Sequence, residues 1–205
     1  MSIDFYTWAT PNGRKISIAL EEMGLTYTVH KVDITKGEQF APAFLAISPN
    51  NKIPAIVDPN GPDQRPISVF ESGAILIYLA EKTGRFLQKD TRGRTLAIEW
   101  LMFQMGGLGP MLGQAHHFLQ FAPEKVPYAI ERYTKEAKRL YGVVNKRLGE
   151  ANFLAGDYSI ADMAAYPWMA VHQRQQIDID EFPNVARWLL AVGARPAVQR
   201  GMAVG

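Results

Sequence analysis

The distribution of strand and helix patterns along the chain constrains the fold more than any other feature. Short apolar runs typical of strands occur only before residue 85 of the 205-residue chain, whereas apolar residues recur at helical spacing from Thr91 onward. We therefore predict two domains, residues 1–85 with α/β structure and residues 91–205 with all-helical structure, a division that suits a chain of this length.

A strand, a helix and a second strand open the chain. Residues 2–7 and 27–32 have the composition of short strands. Between them, Thr10 and Pro11 form a helix-start signal, apolar residues recur at helical spacing, and Gly24 marks a stop. Because a strand-helix-strand unit favours a parallel strand pair, we expect the two strands to be parallel neighbours.

The rest of the first domain predicts a short interrupted helix, a hairpin and a final helix. The helix covers residues 38–47, and the hairpin joins brief strands at 53–58 and 67–70 through a turn-rich loop. Residues 71–83 form the last helix of the domain, so the predicted order is β-α-β-α-β-β-α.

The second domain contains helical patterns only. The predicted segments are residues 92–120, 124–148, 159–176 and 182–194. Ser159 and Asp162 have the spacing of a capping box, which we interpret as part of the folding machinery. Four glycines and Pro110 within 106–113 predict a kinked first segment.

Composition excludes several classes of function. Cysteine is absent, so the chain has no disulfide, no thiolate metal site and no redox thiol of its own. The net charge is +2 without a basic stripe, and no stretch approaches the ~18 apolar residues of a membrane helix. We therefore expect neither a nucleic-acid partner nor a membrane partner. The N-terminal residues lack the features of a signal peptide, so we expect a cytoplasmic protein.

A metal site is not expected either. His116 and His117 are adjacent, and neighbouring residues on a helix point in different directions. We expect these side chains to line a pocket or to bond between helices.

Several strings of residues resemble the cytosolic glutathione transferase superfamily. SPNNKIPAIVD at 48–58, followed by FESGAILIYLAEKTG at 70–84, is similar to its glutathione-binding half. TPNG at 10–13 and GGLGPMLGQAHHF at 106–118 look most like the bacterial Nu class. The resemblance implies a thioredoxin-like N-terminal domain, an all-helical C-terminal domain, glutathione as cosubstrate and a homodimer.

The resemblance also implies an activity, the glutathione-dependent reduction of disulfides with weak transferase or peroxidase activity. One glutathione thiolate attacks the substrate disulfide and a second resolves the mixed disulfide, which agrees with a chain that has no cysteine. Two alternatives stay open at this point. The first is conventional conjugation of glutathione to electrophiles, and the second is a non-catalytic binding module with the same fold.

Thr10 and Asn12 are the residues that the resemblance places at the glutathione sulfur. Lowering the pKa of a thiol from ~8.5 to roughly 6.5 requires about 2.7 kcal/mol. A hydrogen bond to a charged acceptor supplies roughly 1.5–3 kcal/mol, and a helix N-terminus adds about 0.3–1 kcal/mol. Alternatively, Thr10 serves only as the N-cap of the helix.

The resemblance assigns the two ends of glutathione to other residues. Ile53 pairs its backbone with the cysteinyl part beside a cis Pro54, although a trans Pro opening an edge strand is the alternative. Ser72 holds the γ-glutamyl carboxylate and Glu71 pairs with the adjacent ammonium. Without the resemblance, these two residues are equally consistent with a first helical turn that complements the macrodipole.

Three further residues depend mainly on their place in the pattern. Lys52 and Gln39 are the predicted partners of the glycyl carboxylate. Arg132 resembles a residue that reaches across the dimer interface to the glutathione of the other subunit. The alternatives are a solvated Lys52 and a surface Arg132 with partners four residues away on its own helix.

Overall fold

The computed structural model describes residues 2–204. The strands are β1 (Ile3–Thr7), β2 (Tyr27–Lys31), β3 (Ala55–Asp58) and β4 (Ile67–Phe70). The helices are α1 (Pro11–Met23), α2 (Pro42–Leu45), α3 (Ser72–Thr83), α4 (Thr91–Phe103), α5 (Gly109–His116), α6 (Pro127–Glu150), α7 (Ile160–Met169), α8 (Pro183–Gly193) and α9 (Pro196–Ala203). None of the helices within residues 2–204 combines the length and the apolar character needed to span a bilayer.

The four strands form one mixed sheet in the order β2-β1-β3-β4. β1 and β2 are parallel, with Ile3 opposite Tyr27, and the other two pairs are antiparallel. The predicted strand-helix order and the parallel first pair are therefore confirmed. β3 begins at Ala55, two residues later than the sequence pattern predicts.

Contacts divide the chain into two compact units. The first contains the described residues up to Arg85 together with those from Arg195 onward, and the second is Phe86–Ala194. The prediction assigned all of 91–205 to the helical domain, and on this point the structure differs. The last residues form α9, which packs against α1 and so belongs to the first unit.

α1 is a largely buried helix of the first unit. The Thr10 side chain caps its start, and Gly24 ends it in a left-handed conformation with φ of 68°, as the sequence predicts. Ile16, Ala19 and Leu20 are fully buried, and α1 packs against both α3 and α9.

The second unit is helical. Among its described residues, β-type pairing occurs as isolated bridges near residue 155. The hydrogen bonding between α4 and α5 widens to a π-helix over Gln104–Leu108, where the glycine-rich run predicts an irregularity. The capping box is confirmed. The buried Asp162 also accepts hydrogen bonds from the Leu154 N–H at 3.0 Å and the Trp188 indole at 2.9 Å, so it joins α7 to α8.

α9 is held on α1 by a close backbone approach at Gly201. A Cβ atom at that position would lie 2.6 Å from the Cα of Ile18. The Ser17 hydroxyl donates to the Gly201 carbonyl at 2.6 Å, and Arg195 donates two hydrogen bonds to Glu22 at 2.6 and 2.9 Å. Only glycine permits this contact, because any side chain would push the helices apart.

Gly201→Val is therefore expected to lower the free energy of unfolding by about 1–3 kcal/mol through overpacking. Urea unfolding followed by circular dichroism measures the change. Gly142→Ala on α6 is the control, because no atom lies within 4 Å of a Cβ added there. It should leave stability unchanged or raise it by up to about 1 kcal/mol, and equal losses in both variants would contradict the role of Gly201.

Candidate active site

The first turn of α1 carries both predicted thiol-binding residues. Thr10 has extended backbone angles (φ −121°, ψ 160°), and its Oγ1 accepts a hydrogen bond from the Gly13 N–H at 3.2 Å. This contact confirms Thr10 as the N-cap. Its hydroxyl proton is still a donor, so the cap and a bond to a ligand sulfur are compatible. Asn12 is half-buried in the same turn, where helix N–H groups favour an anion.

Gly13 allows this turn to lie against the end of β1, a role that sequence reasoning missed. A Cβ atom on Gly13 would collide with the Thr7 hydroxyl and with the Trp8 carbonyl. The available signal was the position of this glycine in TPNG, directly after a strand. Any other residue would displace the turn that carries Thr10 and Asn12.

The loop before β3 is shaped by Ser48. This side chain is fully buried, and its hydroxyl donates to the Lys52 carbonyl at 2.8 Å. The Asn51 N–H donates to the Ser48 carbonyl at 2.9 Å, with Asn51 at a positive φ of 49°. The Lys52 side chain is exposed, and the Ile53–Pro54 bond is cis, as the resemblance implies.

Gln39 occupies the short turn after β2. Its Nε2 donates to the Ile34 carbonyl at 3.4 Å, a long contact within the same segment. Its Oε1 is buried and has no hydrogen-bond partner among residues 2–204. The role of Gln39 toward a glycyl carboxylate stays a prediction.

The start of α3 is strained. Glu71 precedes the helix with φ of 70° and ψ of 115°, values that cost a non-glycine residue of order 1–3 kcal/mol. Its exposed carboxylate accepts from Asn50 Nδ2 at 3.4 Å. Ser72 is the first residue of α3 and is buried. An exposed acid and a buried hydroxyl thus stand side by side at a helix N-terminus.

Lys15 is a functional candidate that the sequence analysis missed. It is only 2% exposed on α1, and its Nζ donates to the Ser72 Oγ at 3.3 Å. Burial lowers the pKa of Lys15 to about 7, although the charge of Glu71 opposes this shift. In the sequence, Lys15 is a lysine near the start of a helix, and no local signal distinguishes it from a solvent-exposed lysine.

Three segments therefore meet at the candidate site of the first unit. The Lys15–Ser72 bond joins α1 to α3, and the Asn50–Glu71 bond joins the loop before β3 to the start of α3. Two helix N-termini and one buried cation favour anionic groups, while the exposed Glu71 carboxylate favours a cation. This pattern suits a ligand that carries both an anionic and an ammonium group.

Arg132 lies in the second unit, on α6. It borders a cavity of ≈ 620 Å³ whose lining is Met111, Tyr128, Glu131, Arg132, Tyr133, Lys135, Glu136 and Arg139. Glu136, four residues further along the helix, accepts two hydrogen bonds from Arg139 at 2.7 and 2.8 Å. The Arg139 hydrogen bond is the main reason that the pKa of Glu136 is lowered, and the charge of Arg132 adds to it.

The two adjacent histidines point apart. His116 is buried against Phe121, and its pKa is lowered by burial and by the charge of Arg174. His117 is exposed. No cluster of three or more potential metal ligands occurs within residues 2–204.

Comparison with known proteins identifies the family. The family model of the glutathione S-transferase N-terminal domain matches residues 9–82, and that of the C-terminal domain matches residues 109–196. The disulfide-bond oxidoreductase YfcG of Escherichia coli (strain K12) is 55% identical over 202 residues, covering 98% of this chain and 94% of YfcG. The chain belongs to the glutathione S-transferase family. The resemblance found in the sequence is thus confirmed at the level of the family.

Two solved structures of glutathione transferases are similar along nearly the whole chain. The Pseudomonas putida enzyme, described with one glutathione disulfide bound per subunit, has a TM-score of 0.95 and 46% identity, covering 99% of this chain and 91% of that one. A family member from Pseudomonas fluorescens, described with two glutathiones bound, has a TM-score of 0.95 and 48% identity, covering 100% and 93%. The predicted fold class, a thioredoxin-like domain followed by a helical one, is confirmed by these glutathione transferase folds.

The cap at Thr10 provides the first test of this site. Thr10→Ala removes the acceptor of the Gly13 N–H and should lower the free energy of unfolding by ~1 kcal/mol. Chemical denaturation measures the loss. Thr10→Ser keeps the acceptor and is the matched control, so a serine variant as unstable as the alanine variant would contradict the capping role.

The burial of Lys15 predicts a pH-dependent difference in stability. The pKa of Lys15 is about 7 in the folded chain and 10.5 in the unfolded chain. Between these two pH values, only the unfolded state binds the proton. The contribution of Lys15 to stability therefore rises with pH through this window.

Lys15→Met removes this titration, so the variant should melt at a higher temperature than the parent near pH 7 or below. The gap in melting temperature should shrink as the pH approaches 10. Thermal unfolding at several pH values measures it, with the exposed Lys31→Met as control. A gap that is constant with pH would show that Lys15 does not titrate in this range.

Proposed function

We propose that the protein is a glutathione-dependent disulfide-bond reductase. One observation carries the proposal: the chain is 55% identical to a disulfide-bond oxidoreductase, YfcG, yet contains no cysteine. The sulfur that exchanges with the substrate must therefore arrive on a ligand. Folds similar to this one include proteins described with glutathione or glutathione disulfide bound, which supports glutathione as that ligand.

The proposed reaction consists of two thiol–disulfide exchanges. A glutathione thiolate attacks one sulfur of the substrate disulfide, forms a mixed disulfide and releases the other sulfur as a thiolate. A second glutathione thiolate then attacks the glutathione sulfur of the mixed disulfide. The products are glutathione disulfide and the second substrate thiolate, so the substrate gains two electrons from two glutathiones.

Thr10 and Asn12 are proposed to stabilise the glutathione thiolate. The Thr10 oxygen accepts from Gly13 while its proton is available to donate to sulfur. Asn12 adds its side-chain amide and its backbone N–H at the N-terminus of α1, where the macrodipole favours negative charge. A lower thiol pKa raises the fraction of the reactive thiolate at neutral pH.

The remaining parts of glutathione are assigned to the other segments of the site. Ser72 binds the γ-glutamyl carboxylate at the start of α3, and Glu71 binds the ammonium beside it. The Ile53 backbone pairs with the cysteinyl part, and Lys52 and Gln39 bind the glycyl carboxylate. These assignments rest on the matched motifs and on the Asn50–Glu71 and Lys15–Ser72 contacts that hold the segments together.

A homodimer of the bacterial Nu class is part of the proposal. In it, Arg132 of one protomer binds the glutathione of its partner. Two observations support this role. Arg132 borders a cavity of ≈ 620 Å³, and the carboxylate of Glu136, four residues further along the helix, already accepts hydrogen bonds from Arg139. We also propose a cytoplasmic location, since the reaction consumes reduced glutathione, which the cytosol maintains.

Asn12→Ala tests the proposed chemistry. Reduction of 2-hydroxyethyl disulfide should slow by at least about tenfold, because a donor to the thiolate is lost, while glutathione still binds. Coupled turnover measures the rate, and the exposed Asn152→Ala is the matched control. Wild-type turnover in the Asn12 variant would remove this residue from the mechanism.

The same assays separate disulfide reduction from conjugation. The wild-type protein should turn over 2-hydroxyethyl disulfide much faster than a chloronitrobenzene at equal glutathione concentration. The reverse order would replace the proposed activity with conventional glutathione transfer.

A further inference from the structure

Lys15 is a charged side chain in a position that folding alone does not favour. It is 2% exposed, and taking an ammonium group out of water is expensive unless hydrogen bonds replace its hydration. An apolar side chain of similar length would fill the same space between α1 and α3. The lysine therefore requires a reason beyond packing.

The contact with Ser72 suggests that reason. An ammonium group has only donors, so in the 3.3 Å contact the Ser72 Oγ must accept. The hydroxyl proton of Ser72 is then directed away from Lys15 and toward another acceptor. Ser72 is the first residue of α3, where backbone N–H groups also favour an anion.

We propose that Lys15 is a positioning residue of the carboxylate subsite at the start of α3. Its ammonium group holds the Ser72 hydroxyl in the orientation that donates to the γ-glutamyl carboxylate of glutathione. This inference rests on the proposed function and deepens it at the same site. It assigns a role to a residue that neither touches the sulfur nor belongs to the recognised motifs.

A pH dependence follows from the protonation of Lys15. When Lys15 loses its proton, the neutral amine can accept the Ser72 proton, which turns the hydroxyl inward and removes the donor to the ligand. A bound carboxylate near Lys15 favours the ammonium form, so binding takes up a proton where Lys15 is partly neutral. Because the pKa of Lys15 is about 7, affinity should fall as the pH rises through neutrality.

Several charged groups surround Lys15. Glu71 faces it from the start of α3, and its negative charge raises the Lys15 pKa. Arg14 precedes it on α1 and is a second basic side chain. Several other charged side chains on α1 and on nearby elements are in ion pairs: Glu21 with Arg200, Glu22 with Arg195, and Asp58 with Lys82. His30 pairs with Asp4 on the strands, and Glu81 is a further acidic residue on α3.

The experiment measures binding of S-methylglutathione by titration calorimetry between about pH 6 and about pH 8. This probe has no thiol, so the ionisation of sulfur does not enter. For the wild-type protein, the dissociation constant should rise by about tenfold over this range, in step with the loss of the Lys15 proton. Near pH 7, the binding enthalpy should vary with the ionisation enthalpy of the buffer, because a proton is taken up.

Two variants separate positioning from packing. Lys15→Met should bind several-fold more weakly than the wild-type protein near pH 6 and show no pH dependence. Lys15→Gln, which still donates to Ser72 but does not titrate, should recover part of the affinity with a flat profile. In disulfide turnover, Lys15→Met should raise the KM for glutathione while kcat stays within about twofold. The exposed Lys31→Met should retain the wild-type profile.

A wild-type pH profile in Lys15→Met would overturn the inference, as would binding by the wild-type protein without proton uptake. In either case disulfide turnover by the wild-type protein would leave the proposed function standing. If the wild-type protein bound no S-methylglutathione at any pH and did not reduce disulfides, both proposals would fall.

Discussion

The close packing of α1 is the contact on which the first unit and its site depend. Gly13 brings the start of the helix against the end of β1, and Gly201 brings α9 against its middle. Lys15 joins it to α3 between these two contacts. A helix fixed on several sides holds the N–H groups of its first turn in a constant direction. Such preorganisation lets the turn stabilise an anion without reorganising when the anion arrives.

A chain without cysteine can act on sulfur only through the placement of its own groups around a ligand. In the proposed reaction it has to make the thiol of a ligand more acidic, and the required free energy of about 2.7 kcal/mol is within reach of one charge-assisted hydrogen bond and one helix N-terminus. Because the chain has no cysteine, no protein thiol is available to be oxidised or trapped in a mixed disulfide. The protein then contributes binding, orientation and electrostatics, and glutathione contributes the electrons.

Two features that cost stability meet at Ser72, the first residue of α3. Glu71 directly precedes Ser72 in the sequence, and Lys15 of α1 donates a hydrogen bond to it. Glu71 has a backbone conformation that non-glycine residues avoid, and Lys15 is a cation almost completely removed from water. Local rules of folding favour neither. Strained or buried polar groups that gather at one place are characteristic of functional sites, where stability is lost in exchange for a binding geometry.

The sequence by itself determined what depends on neighbours along the chain. The cap at Thr10, the stop at Gly24 and the capping box at Ser159 follow from local hydrogen bonds and backbone preferences, and the order of strands and helices follows from local periodicity. The motifs also located the candidate ligand-binding segments. Only the tertiary structure decided that Lys15 lies buried against Ser72 and that Gly201 brings the last helix onto the first unit. The hydrogen bond between Lys15 and Ser72 joins residues 57 positions apart, and the one between Ser17 and Gly201 joins residues 184 positions apart. Burial that depends on residues so distant in the chain leaves no local signal in the sequence.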